Sequence, residues 1–205
     1  LTSAGLSTKA IRDKLADIAP KDAKVGLIPT ARAMEPGDNA NHMQAIENLK
    51  AAGFEDVDTI EISQKGIDWK SRLDAVDIVY LAGGNTFYLM DQLSKTGVAV
   101  WLDENAGKKV YVGESAGSIV MTPRISVASI DDGDVNEVGL EDLSGLGFVD
   151  FEVSPHTPED VSVEANKEYA DTIKAKLYAY DNESALYVND EEIQAITTIG
   201  IKEFN

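Results

Sequence analysis

Gly113-Glu-Ser-Ala-Gly117 places a serine among small residues, between the β-branched run Val110-Tyr-Val112 and a helix opening Ser118-Ile-Val120. This is the G-x-S-x-G pattern of a nucleophile elbow, in the strand-to-helix context that such an elbow needs. Small neighbours let a strained backbone turn sharply and push Ser115 Oγ out beyond the strand end. A serine hydroxyl attacks only when a base takes its proton, and the chain holds just two histidines, His42 and His156. His156, in Val153-Ser-Pro-His-Thr-Pro158, follows an apolar stretch and stands between two prolines, which suits a fixed general base. His42 belongs to the outer part of a helix and is expected at the surface.

A third group must orient the imidazole. Asp131, Asp132 and Asp134 lie between the serine and the histidine, while Glu152 and Glu159 flank the histidine itself, and spacing alone does not choose among them. A tetrahedral intermediate also needs backbone donors. Ala116, next after the nucleophile, supplies one, and Gly83-Gly84-Asn85 is the expected source of the second, with Gly84 the choice and Asn85 beside it. Other uses of the Gly113–Gly117 turn, as a phosphate loop or a turn with no task, fit its flanks less well.

These groups need a frame. Ile11, Leu15 and Ile18 recur at helical spacing and stop at Pro20, giving a helix over 7–19. Val25–Pro29 is a short, wholly apolar run of the kind buried on both faces of a parallel sheet. A helix over 39–52 carries Met43, Ile46 and Leu49. Strands follow at Val57–Ile62, at Ile78–Ala82, which runs into the Gly83-Gly84 turn and a helix with Leu89, Met90 and Leu93, and at Val110–Val112. Such alternation predicts an α/β fold, a mostly parallel sheet with helices on both faces and its site at the carboxyl ends of the strands. Residues 124–155, rich in Gly, Asp and Val, suggest shorter strands and turns, and 159–175 a further helix. Ser184–Val188, a turn at Asn189-Asp190, Gln194–Ile199 and Lys202–Phe204 read as antiparallel strands finishing the sheet. The start at Leu1 suggests that most of a first strand, an edge strand, precedes it.

With 205 residues and 43% hydrophobic content the chain fits one domain over 1–205. A net charge of −18 repels phosphate backbones and anionic lipid, so neither nucleic acid nor a membrane surface is an expected partner. Without cysteine, disulfides, thiolate metal sites and thiol nucleophiles are excluded. No apolar run reaches membrane-spanning length, and a cytoplasmic protein is expected, as a monomer or homodimer.

Leu81-Ala-Gly-Gly-Asn-Thr-Phe-Tyr-Leu89, Gly113-Glu-Ser-Ala-Gly-Ser118 with Pro123 beyond it, Ser154-Pro-His156 and the early Ile28-Pro-Thr-Ala31 together resemble the peptidase E and cyanophycinase family of serine peptidases. The resemblance implies a glutamine-amidotransferase-like (flavodoxin-like) domain, a Ser-His-Asp/Glu triad, no cofactor or metal, and small peptide substrates. It carries Ser115 over as nucleophile, His156 as base, and Gly84 with Ala116 as the oxyanion hole. The family's acid lies about fifteen to eighteen residues after its serine, which points to Asp131, or to Asp132 beside it.

Two departures bear on the substrate. Peptidase E proper has a tryptophan before its serine, where this chain has Glu114, expected at the mouth of the site and unfavourable to an anionic side chain. An arginine downstream of the family's histidine binds the substrate aspartate, whereas Glu159 to Lys176 holds only lysines, which lack the bidentate fork. Strict Asp-X dipeptidase activity is therefore not expected. The competing readings are an inactive member that binds a small peptide or metabolite, and an esterase or acyltransferase using the same triad. A glutamine amidotransferase is disfavoured by the missing cysteine.

Overall fold

The computed structural model describes residues 1–34, 40–190, 192–197 and 200–205. Four strands form a parallel sheet in the order β2-β1-β3-β4: β1 Val25–Ile28, β2 Val57–Thr59, β3 Ile78–Leu81 and β4 Val110–Gly113. All four residues of β1 and of β3 are buried, as continuous apolar runs in a doubly covered sheet should be. The pleat sorts them between two cores. Val25, Leu27, Ile78, Tyr80 and Val112 pack with Ile11 and Leu15 of α1 (Lys9–Ile18) and Ala45 and Leu49 of α2 (Ala40–Ala51). Ile28, Val79 and Leu81 face the other way, onto α3 (Trp69–Asp74), α4 (Thr86–Thr96) and α5 (Val98–Glu104).

Local chemistry sets the boundaries. Thr8 Oγ1 accepts the N–H of Ile11 at 3.3 Å, so α1 begins at Lys9, two residues later than its periodicity suggests. The expected helix over 39–52 is α2, its first position lying outside the described residues. α3 is one and a half turns long and gives too little period to detect. α5 escapes notice for another reason: Gly97, at φ 81°, ends α4 and starts α5 without an intervening loop.

Beyond β4 a single turn of helix, α6 (Ala116–Ile119), leads into the stretch where shorter strands, turns and irregular backbone are expected. Within it, 124–151 forms a 3-10 turn at Ser126–Ser129 and irregular backbone held against 120–125. Leu146 N donates to Val120 O at 2.7 Å and Phe148 N to Met121 O at 2.8 Å, so its amides are satisfied without a ladder. β5 (Glu152–Ser154) follows, then α7 (Val163–Ile173), shorter than the expected 159–175 because Ser162 caps its start. β6 (Leu177–Tyr180), absent from the sequence reading, pairs parallel with β5 and antiparallel with β9 (Ile201–Phe204). β7 (Ala185–Asn189) and β8 (Glu192–Ile196) form an antiparallel hairpin. Residues 198–199 of the expected Gln194–Ile199 strand lie outside the described residues. β5, β6 and β9 form a separate small sheet, while the β7–β8 hairpin joins the parallel sheet through the N-terminal residues.

Thr2 pairs parallel with Glu114 and antiparallel with Ala185, so the N-terminal residues run between β4 and β7. α6 packs directly on β3, and a Cβ at Gly117 would fall 2.0 Å from Leu81 O. Gly117→Ala should therefore lower stability by roughly 3 kcal/mol, a Tm drop of about 6–12 °C by calorimetry. An unchanged Tm would show that this helix can shift off the strand.

Candidate functional site

The carboxyl ends of β1, β3, β4, β5 and β6 converge on one place. Ser115 follows β4 with φ 49° and ψ −112°, a conformation that strains any side-chain-bearing residue by about 1–3 kcal/mol. The surroundings hold it there. Ser115 N donates to Thr2 O at 3.0 Å, Glu114 N to Leu81 O at 3.0 Å, and Ser118 N closes back onto Ser115 O at 2.8 Å. Gly113 is required as well, since a Cβ there would meet Gly117 O at 2.6 Å.

His156 comes two residues after β5, also in left-handed backbone at φ 63°. Its Nε2 stands 2.8 Å from Ser115 Oγ, and its Nδ1 stands 2.5 Å from Oδ1 of Asn182, in the turn after β6. An amide oxygen only accepts, so Nδ1 carries the proton and the Nε2 lone pair faces the serine hydroxyl. That arrangement can take the Oγ proton. Asn182 is not a carboxylate, and its only sequence signal is its place in the polar turn Asp181-Asn-Glu-Ser184 between two strands.

The expected acids are elsewhere. Asp131, in left-handed backbone at φ 51°, accepts the N–H of Ser162 at 2.9 Å just before α7, and it is not a hydrogen-bond partner of His156. Asp134 accepts the N–H of Thr86 at 2.7 Å, at the start of α4. Asp132 and Glu159 are exposed, and fully buried Glu152 binds Arg124 Nε at 2.7 Å and Tyr169 OH at 2.5 Å. Helix-terminal amides attract nearby carboxylates strongly, which is why acids at the right spacing were drawn off to cap helices. Asp160, largely exposed, brings an oxygen to 3.9 Å from His156 Nδ1.

Gly84, at φ 132°, lies so close to the turn after β1 that a Cβ would stand 2.4 Å from Ala31 O. Among the described residues no hydrogen bond engages the N–H of Gly84 or of Ala116. Asn85, by contrast, is occupied: its Oδ1 accepts the N–H of Tyr88 at 2.9 Å and its Nδ2 donates to Val135 O at 3.0 Å. Glu114 does not stand at a mouth. Its side chain is 15% exposed, packs 3.5 Å from where Gly83 would carry a Cβ, and accepts from Arg32 Nη2 at 2.8 Å and Tyr80 OH at 3.0 Å. Burial, and then the neighbouring Glu114 charge, push the Tyr80 phenol well above its usual range, so it stays a donor. Arg32 balances the carboxylate's charge beside the nucleophile.

His42 is half-buried and not at the surface as expected, with Nε2 3.4 Å from Thr59 Oγ1. Burial and then the charge of Arg32 hold its imidazole below the ordinary range. Among the described residues no cluster of His, Asp and Glu is arranged to hold a metal ion, and no helix is long and apolar enough to cross a membrane.

A serine on an elbow with a histidine at hydrogen-bond distance, at the carboxyl edge of a parallel α/β sheet, is the class of site found in serine hydrolases. Residues 1–196 match the model of peptidase family S51, and the chain belongs to that family of serine-type peptidases. It is 32% identical over 176 residues to the uncharacterized peptidase Lmo0363 of Listeria monocytogenes, covering 82% of this chain and 83% of that one. Peptidase E of Streptomyces coelicolor is 28% identical over 70% of this chain and 55% of its own. A crystal structure of a protein provisionally called Peptidase E from Listeria monocytogenes EGD-e superposes with TM-score 0.81 at 25% identity, covering 96% of each chain.

If Asn182 is what holds the imidazole, Asn182→Ala should slow labelling of Ser115 by a fluorophosphonate roughly 10²-fold, while Asp131→Ala should leave it within about twofold. Slowing in Asp131→Ala with little change in Asn182→Ala would return the orienting role to Asp131.

Proposed function

We propose that this chain hydrolyses small peptides through Ser115, with His156 as general base and acid, Asn182 as the residue orienting the imidazole, and the N–H groups of Gly84 and Ala116 as the oxyanion hole. The observation that carries this reading is the 2.8 Å approach of His156 Nε2 to Ser115 Oγ, on an elbow whose strained backbone has no other evident use. A non-catalytic binding protein has no need to hold that pair in register.

Each step has a residue behind it. Nε2 takes the Oγ proton as Oγ attacks the scissile carbonyl carbon, and the carbonyl oxygen gains negative charge facing two free N–H groups. The imidazolium then returns its proton to the leaving amine as the C–N bond breaks, leaving an acyl ester on Ser115. Water repeats the sequence, with Nε2 taking its proton and then giving it to Oγ, which frees the acid product. Asn182 fixes the ring but, unlike a carboxylate, adds no charge to stabilise the imidazolium. Cys-His-Asn enzymes show that an amide can serve in this position. Asp160, at 3.9 Å from Nδ1, lends some negative charge at longer range.

Because Arg32 balances the buried Glu114 carboxylate, the pair adds no net charge beside Ser115. Selection for an anionic first residue is therefore weak, and neutral-first dipeptides should be cleaved at rates comparable to Asp-first ones. On a panel of dipeptides, dipeptide amides and simple esters at pH 8, Ser115→Ala and His156→Ala should each lower kcat/KM by about 10³-fold or more. Wild-type protein that cleaves no panel member, or variants that match it, would remove the peptidase mechanism. Cleavage of esters alone would make the chain an esterase that uses the same residues.

A further inference from the structure

Ser3 is fully buried, yet its hydroxyl is spent on the site. Oγ accepts the backbone N–H of His156 at 2.9 Å, donates to Oδ1 of Asn182 at 3.2 Å, and lies 3.4 Å from His156 Nδ1. Its own N–H donates to Ser184 O at 3.3 Å, and Ser7 Oγ donates to Asn182 O at 2.8 Å, so the N-terminal residues bracket the turn that carries Asn182. One residue earlier, Thr2 O accepts the N–H of Ser115.

An amide needs this help in a way that a carboxylate does not. Both ends of a carboxylate accept, so either oxygen holds an imidazole N–H. An asparagine can rotate and present its NH₂ instead. Nδ1 would then have to accept, the ring proton would move to Nε2, and the serine hydroxyl would face a donor that cannot take its proton. With Ser3 Oγ–H and His156 Nδ1–H both aimed at Oδ1, rotation would take the 3.2 Å acceptor from the Ser3 proton and leave it only Nδ1 at 3.4 Å, for which it would compete with the amide's own N–H. The bond from His156 N–H to Ser3 also steadies a residue at φ 63°, which few side-chain-bearing residues adopt unaided.

We propose that Ser3 is a positioning residue that sets the tautomer of His156 by fixing which end of the Asn182 amide faces the ring. This rests on the reading of Ser115 and His156 as the reacting pair, but its first readout is the ring itself. Long-range ¹H–¹⁵N correlation of the imidazoles at pH 8, with His42→Gln to assign the two rings, should show His156 as Nδ1–H in the wild type. In Ser3→Ala a substantial Nε2–H fraction should appear, and kcat should fall about 10- to 100-fold, the range typical of outer-shell partners of a functional histidine, with KM nearly unchanged.

Ser3→Thr keeps the hydroxyl and should restore both the tautomer and the rate. Ser3→Cys, close in size but a weak donor, should reproduce the defect without a packing change. Asn182→Asp supplies the sharpest control: a carboxylate has no wrong end, so adding Ser3→Ala to it should cost less than about threefold in kcat. Overturning results would be a His156 ring that stays Nδ1–H in both Ser3→Ala and Ser3→Cys, or a Ser3→Ala loss equally large in the Asn182→Asp background. Wild-type protein with no peptidase activity would defeat the functional reading, and the ring tautomer would still decide the role of Ser3.

Discussion

The left-handed backbone at Ser115 is the constraint on which the rest of the site depends. A residue with a side chain stays at φ 49° only where its neighbours leave no alternative. Two of those neighbours must be glycine, because β3 passes against Gly117 and the first turn of α6 folds back onto Gly113. A third is the N-terminal strand, whose Thr2 carbonyl fixes the serine's amide. The turn is tight because strand and helix meet without a loop, and that directness delivers the hydroxyl beyond the sheet edge.

The groups around that serine arrive by the same device, each placed a few residues beyond a strand's carboxyl end. β1 leads to Arg32, β3 to Gly84, β5 to His156 and β6 to Asn182. Rigid strands bring Asn182, His156 and Ser115 to within hydrogen-bond distance, each of the next, with little freedom left to lose. The histidine is held at both ring nitrogens and at its backbone N–H, and the segment that holds the backbone also holds the serine. Ser115 and His156 thus share one brace at the N-terminus.

What could be read in the sequence was whatever sits on a strong local pattern. The elbow announces itself by glycine spacing, His156 by scarcity and flanking prolines, and the parallel strands by apolar runs that two covering layers demand. Groups whose role depends on long-range contact were silent. Asn182 lies 26 residues from the histidine it touches, and Ser3 lies 153 away. Asp131 had the right type and distance along the chain, but a helix start nearby competes for its carboxylate. Glu114 is expected in the open and is not, because nothing local says that Arg32 pairs with it from the far end of β1. Short elements such as α3 and β6 have too few residues to establish a period.

Covalent catalysis by Ser115 is the claim on which the mechanism stands, and it is tested most directly by catching the acyl-enzyme. A reactive amino-acid ester would be mixed with wild-type protein, quenched in acid within milliseconds to seconds, digested and mapped by mass spectrometry. The expected result is one acyl group per chain on the peptide containing Ser115, formed before steady-state turnover and absent from His156→Ala. Steady product release with no acyl group on that peptide, or with the adduct on another residue, would contradict the account.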